Sequence, residues 1–213
     1  MHVHGIPIEI IQRLRQGEPT ALADLFAVSR DRLRQMIHFR IDPRLNRRID
    51  PDDVLQEAYL DAQKRIEHYQ ATPEESSAYV WLRLITLQTL ADTHRRHLGT
   101  KGRDASREQP LPEASSANQT TAHSIANLLV SGLTSPSEAI QRAEAIEQVR
   151  VALEQMDPID QEVLALRNFE ELTNTETAEI LKIAQGASSL RYIRALKRLQ
   201  QVMSQFPESK RTW

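Results

Sequence analysis

The chain has no cysteine among its 213 residues. That excludes disulfides, thiolate zinc sites and cysteine nucleophiles together, and it suits a reducing cytoplasm. Glycine is scarce, at 6 residues, and alternating β-branched runs are few, so a β-rich fold is not expected. No apolar run approaches the length of a membrane span. The opening MHVHGIPIEI also lacks a basic segment followed by an apolar core. Neither membrane insertion nor export is expected, and the cytoplasm is the expected location. Nucleophile–base pairs, phosphate-cradling glycine loops and metal-ligand spacings are missing as well, which argues against an enzyme. His2-Val3-His4 lies at the terminus and is thin ground for a ligand pair. No cofactor or metal is expected.

What remains is an ordinary globular composition, 40% hydrophobic and 26% charged, with room for one large or two small domains. The net charge of −2 is unevenly spread. Residues 137–181 hold three basic residues (Arg142, Arg150, Arg167) against eleven acidic ones. Residues 182–213 hold seven basic residues against Glu208 alone. An acidic support thus carries a basic working end, where positive potential is concentrated.

That basic end contains the stretch LTNTETAEILKIAQGASSLRYIRALKRL, 172–199. Thr173 or Thr175 can cap a first helix, with Glu176 or Glu179 in its opening turns and Ala178, Ile180 and Leu181 on its buried side. Ile183-Ala184-Gln185-Gly186 breaks the run, and Gly186 is the residue best able to take an unusual backbone angle. In a second helix Leu190, Ile193, Leu196, Leu199 and Met203 form one apolar stripe, expected to pack inward. Arg191, Arg194 and Arg198 recur on a different face. A short helix, a turn and a basic-faced helix is the helix-turn-helix arrangement that enters a DNA major groove.

Upstream, Ile8, Ile10, Ile11 and Leu14 begin a short helix that Gly17-Glu18-Pro19 stops. Thr20 opens a second, with Leu22, Leu25, Phe26, Leu33, Ile37 and Phe39 buried. A third helix starts at Asp50-Pro51-Asp52-Asp53, with Asp50 as cap, Pro51 at the first helical position and Asp53 where a capping-box acid falls. Asp52, Asp53, Gln56 and Glu57 give its first turns an exposed acidic and amide surface, which the helix dipole alone would also favour. A polar loop, 69–77, precedes a long helix, 78–97. There Trp81, Leu84, Ile85 and Leu90 can face inward while Arg83, Thr86, Gln88, Thr89, Asp92, Arg95 and Arg96 decorate the remainder, followed by Lys101 and Arg103. Amides, hydroxyls and arginines beside an aromatic ring suit strand-opened DNA, but for Trp81 itself a core role is the favoured reading.

From 104 to 136 Ser, Thr, Ala, Asn, Gln and Pro dominate, the composition of a flexible linker. Ile125–Val130 within it is apolar enough for a short helix or a docking segment. Ser137 caps the next helix, Asp157-Pro158 divides it from another, and Pro207 closes the last. Ile146, Val149, Leu153, Val163, Leu164 and Leu166 would build the second core. The expected fold is all-α: two small helical domains, 1–103 and 137–213, joined by a flexible linker at 104–136, the C-terminal domain a helix-turn-helix.

In this order the pieces resemble a bacterial sigma factor of the extracytoplasmic-function (ECF) group, over about 20–203. Asp52-Asp53-Val54-Leu55-Gln56-Glu57, Trp81-Leu82 through Asp92 and Arg95-Arg96, and the run ending Arg194-Ala195-Leu196 carry the resemblance. It implies core RNA polymerase and promoter DNA as partners. Asp52, Asp53, Gln56 and Glu57 would contact the polymerase clamp helices. The 69–77 loop would capture a flipped base of the minus-ten element. Arg83, Thr86, Gln88, Thr89, Arg95, Arg96, Lys101 and Arg103 would hold the opened strand. Ala187, Ser188, Ser189, Arg191, Tyr192, Arg194 and Arg198 would lie nearest the minus-thirty-five element, and the linker would thread toward the polymerase active centre. An anti-sigma factor, where one exists, would cover the acidic helix and the reading helix. The chain departs from the family in having Gln88 where Asn is usual, and in the small Ala187, Ser188 and Ser189 at the tip of the reading helix. Sparse direct base readout is therefore expected there, with shape and phosphate contacts carrying specificity. Two other readings stay open: a stand-alone helix-turn-helix regulator, which needs a dimer and a palindromic site, and a helical adaptor without DNA contact.

Overall fold

The computed structural model describes residues 2–3, 6–73, 76–99, 114–131 and 139–204. The chain divides into two compact units: 1–106 with 179–182, and 107–178 with 183–213. Apart from one antiparallel pairing of β1 (His2–Val3) with β2 (Ile6–Pro7), the regular elements are helices.

The first unit packs α1 (Ile8–Arg15), α2 (Ala21–Arg40), α3 (Pro51–Gln70) and α4 (Ala78–Gly99) together. Gly17, at φ +78, ends α1, a conformation that costs a residue without Cβ little. Thr20 does not cap α2. Its hydroxyl instead donates to Glu18 at 2.9 Å and accepts from Arg13 at 2.8 Å, while Arg13 also reaches Asp24. At α3 the Asp50 carboxylate accepts the Asp52 N–H at 2.9 Å and Pro51 fills the first position, as the sequence predicts. Leu25, Leu33, Met36, Ile37, Ala58, Ala62, Tyr69, Tyr79 and Leu82 are fully buried and form the core. Phe26 is only half-buried, meeting Tyr59 edge to face at 5.2 Å.

The second unit contains α5 (Ala114–Ser131), α6 (Ala139–Glu154), α7 (Pro158–Leu164), the first part of α8 (Asn174–Leu181), up to Ala178, and α9 (Gln185–Ser204). Residues 114–131, read as linker from their composition, form α5, which packs on α6 and α7 through buried Ala122, Ile125, Ala126 and Val130. Low charge and small side chains suit a closely packed helix as well as a linker; the recurrence of these four apolar residues decides for the helix. Asp157 caps α7, accepting the Ile159 N–H at 2.8 Å. The helix then widens into one π turn over Ala165–Phe169, with Val163, Leu164, Ala165 and Leu166 buried alongside Val149 and Leu153. Thr173 and Glu176 close a reciprocal capping box at α8: Glu176 accepts the Thr173 N–H at 2.8 Å, and the Thr173 hydroxyl accepts the Glu176 N–H at 3.2 Å. The break between α8 and α9 differs from expectation. Lys182 takes the left-handed angle, φ 54, and Gly186 lies inside the first turn of α9. Ser137 and Pro207 lie outside the described residues.

Candidate functional site

At the start of α3 the four sequence-predicted residues sit together, but they are not equivalent. The Asp52 carboxylate pairs with Arg30 at 3.0 Å and Arg34 at 3.8 Å. Glu57 pairs with Arg96 at 2.5 Å, and this hydrogen-bonded partner raises the Arg96 pKa. Asp53 and Gln56 point to solvent. All of these pairs are exposed and screened by solvent, so each adds little to stability and exchanges readily for a stronger cationic partner. Asp53 is the carboxylate left free to meet one.

On α4 the burial pattern differs from the exposed face expected. Thr86 and Thr89 are buried, and their hydroxyls donate to the carbonyls of Leu82 at 2.9 Å and Ile85 at 3.1 Å. Arg83 is buried too, at 4% exposure. A threonine bonded to the carbonyl four residues back has valine's shape and no unsatisfied polar atom, so the core accepts it. Leu84, expected inside, is 54% exposed. The outward face therefore carries Leu84, Gln88, Asp92, Arg95 and Arg96. Gln88 accepts from Arg65 at 2.5 Å, and Arg95 pairs with Asp92. Lys101 and Arg103 lie outside the described residues.

Trp81 is half-buried, its ring 5.0 Å from that of Tyr69. Tyr69 opens the 69–77 loop from a fully buried position, and burial pushes its phenol pKa up. Arg15 was missed by the sequence reading. Its guanidinium donates to the carbonyls of Thr72 at 3.0 Å and Pro73 at 2.7 Å, and lies 4.8 Å from the Tyr69 ring centre. It thereby holds the near side of the loop. A lone arginine at the end of a short helix gives no local signal of this, because the partners lie 57 and 58 residues further along the chain.

On α9 the inner face is made by Ser188 and Ala195, both fully buried, with Arg191, Tyr192 and Leu199 half-buried. Ser188, expected to face the bases, is thus on the buried side of the helix. Arg191 lies 3.5 Å from Asp160, and the Tyr192 hydroxyl donates to Asn168 of the π turn at 2.8 Å. Ala187, Ser189, Arg194 and Arg198 are exposed. Arg194, Lys197 and Arg198 line a shallow hollow with Asp157, Asp160 and Gln201. Three residues of the apolar stripe face the other way from expectation: Leu190 is 57% exposed, Ile193 50% and Leu196 38%, while Leu199 turns inward and the Met203 side chain lies outside the described residues. The small Ser188 and Ala195 are spaced by two helical turns, and they let α9 lie close on its support, which leaves the larger side chains outside. That spacing was the available signal.

Among the described residues no group of three or more His, Asp or Glu side chains could hold a metal ion, and no helix is long and apolar enough to cross a membrane.

No curated protein matches the sequence. Among solved structures, CnrH in complex with the cytosolic domain of CnrY matches with a TM-score of 0.51 at 18% identity, covering 93% of this chain and 97% of that one. An RsbN–BldN complex matches with a TM-score of 0.31 at 19% identity over 90% of this chain and 98% of that one. The first likeness shows a shared fold. A family model described as ECF sigma factor matches residues 8–205, across both units. The chain belongs to the ECF sigma factor family.

Proposed function

We propose that this chain binds core RNA polymerase and directs it to a promoter, opening the DNA without catalysis of its own. Two oppositely charged surfaces in one family member carry the reading: the exposed Asp53 and Gln56 on α3, and the exposed cations of the acid-free α9. The α3 surface would dock on basic polymerase residues. The outward side of α4, with Gln88, Arg95 and Arg96, would hold the separated strand, beside the 69–77 loop that Arg15 steadies. Thr86, Thr89 and Arg83, being buried, drop out of that contact set. The α8–α9 pair would act as the helix-turn-helix on the upstream element, with Ala187, Ser189, Arg194 and Arg198 toward DNA. The working division is 1–103 for polymerase and minus-ten contacts and 137–213 for minus-thirty-five contacts. Work with polymerase puts its place of action in the cytoplasm. By likeness to CnrH, seen with the cytosolic domain of CnrY, a protein partner covering the α3 and α9 surfaces is the proposed form of regulation.

Run-off transcription with purified core polymerase on a pool of promoter fragments tests the reading. Initiation that depends on the protein, from shared upstream and downstream elements, is the expected result. Asp53→Arg should abolish core binding while circular dichroism stays unchanged, since the side chain is exposed. Wild-type affinity for core enzyme in that variant would remove the assignment to α3. Binding to duplex DNA alone, with no effect on polymerase, would favour an ordinary regulator.

A further inference from the structure

The exposed aliphatic side chains of α9 have no part in the contacts proposed so far, which rest on arginines and small polar residues. Leu190 and Ile193 are about half or more exposed, and each has a cation one turn further on, Arg194 and Lys197. The helix holds no acidic residue. Its tip is small: Gly186, Ala187 and Ser189 are exposed, and a Cβ added at Gly186 would meet nothing within 4 Å. The tip can thus approach another surface closely, bringing Leu190 and Ile193 with it.

We infer that Leu190 and Ile193 read thymine methyl groups in the major groove of the upstream promoter element. The inference rests on the reading of α9 as the groove-entering helix. The thymine C5-methyl is the apolar group that base edges present in that groove; the remaining positions are hydrogen-bond donors and acceptors. An aliphatic side chain over a methyl buries both. The same side chain over cytosine would strip water from the N4 amino group and give it no partner, a penalty that adds discrimination. A dry protein partner fits the ridge less well. Lys197 lies in line with Leu190 and Ile193 at heptad spacing, so such a partner would bury an ammonium among the apolar contacts, whereas lysine is depleted from interface cores. In a groove flanked by phosphates and guanine acceptors the interleaved cations have partners. Specificity on this account comes from apolar contact, which answers how a helix with so few exposed hydrogen-bonding side chains at its tip can select a sequence.

The test uses the full chain bound to core polymerase. Promoter fragments are first selected from the pool, and each thymine of the upstream element is then replaced singly by deoxyuridine, which removes the methyl and nothing else. Competition binding is expected to show one or two positions where uracil costs roughly fourfold in affinity, the equivalent of one buried methylene-sized group. Leu190→Ala or Ile193→Ala should abolish that penalty at one position each and keep the salt dependence of binding. Upstream binding that is selective but indifferent to uracil at every thymine would overturn the methyl readout and leave the promoter reading standing. Loss of core-polymerase affinity in Leu190→Asp, with uracil again without effect, would overturn it in favour of a protein contact. A holoenzyme that selects no upstream element would remove both readings at once.

Discussion

Helices α4 and α9 both invert, at several positions, the ordinary relation between polarity and burial, for different reasons. In α4 the threonines at 86, 89 and 93 and Arg83 are inside, while Leu84 is outside. In α9 Leu190, Ile193 and Leu196 are outside, while Ser188 is inside. Both are helices that the sequence marks as nucleic-acid faces. The difference lies in what each inner surface requires. The inner face of α4 fills a wide core beside Tyr69 and Tyr79 and needs volume, which threonine supplies once its hydroxyl is bonded to its own helix. The inner face of α9 needs closeness to its support, which serine and alanine supply. Side-chain volume and local hydrogen bonding decided both placements; hydropathy alone would have reversed them.

The comparison can be broken most sharply at Thr86. Thr86→Lys should destabilise the first unit by about 3–5 kcal/mol, the cost of an unpaired buried charge, as a lowered denaturant midpoint. A wild-type midpoint would mean that this face of α4 is open after all. Glu176→Ala removes the capping box of the helix before α9, and about 1–2 kcal/mol should be lost from the second unit alone. Trp81 fluorescence for the first unit and hydrogen exchange for the second, followed through the melts, would separate the two.

Acid should distinguish the same two helices. His94 on α4 accepts the Asp42 N–H at 3.4 Å, and burial lowers its pKa below the usual 6.5, with His97 and Arg44 acting the same way and Asp42 against. The unfolded chain therefore binds a proton first. Its stabilising effect is complete above about pH 6.5 and declines as pH falls toward the lower folded value. Unit-resolved hydrogen exchange should show earlier opening around α4 on mild acidification, an effect that His94→Gln reduces. α9 has no histidine and should not follow it. The smallest expected effect is at Ile193: Ile193→Ser should change stability by within about 0.5 kcal/mol, because the side chain is already half in water. A loss of 2 kcal/mol or more would show that the stripe is covered within the folded protein.

Much of the architecture was legible. Asp50-Pro51 and Asp157-Pro158 marked two helix starts by cap chemistry that operates within three residues. Thr173 and Glu176 were among the named candidates for a third. The start of α3 was legible as a site because acids and amides cluster there in sequence. Arg15 was not, since its loop partners come from another helix end. The left-handed residue at the α8–α9 break was also misassigned to Gly186. Lys182 takes that angle because the Ile183 N–H closes back on the Ala178 carbonyl at 3.0 Å, a helix-ending bond that any residue can be driven to complete.

By itself, then, the sequence determined that the chain is helical, where most helices begin, which family its ordered motifs resemble, and where charge accumulates. Those properties depend on neighbours within a few residues and on composition. Tertiary structure alone decided which side of α4 and α9 faces inward, that 114–131 joins a packed helical layer, and that Asp53, of the three carboxylates at the start of α3, is left free. Each of those depends on the volume and charge of residues brought in from distant parts of the chain.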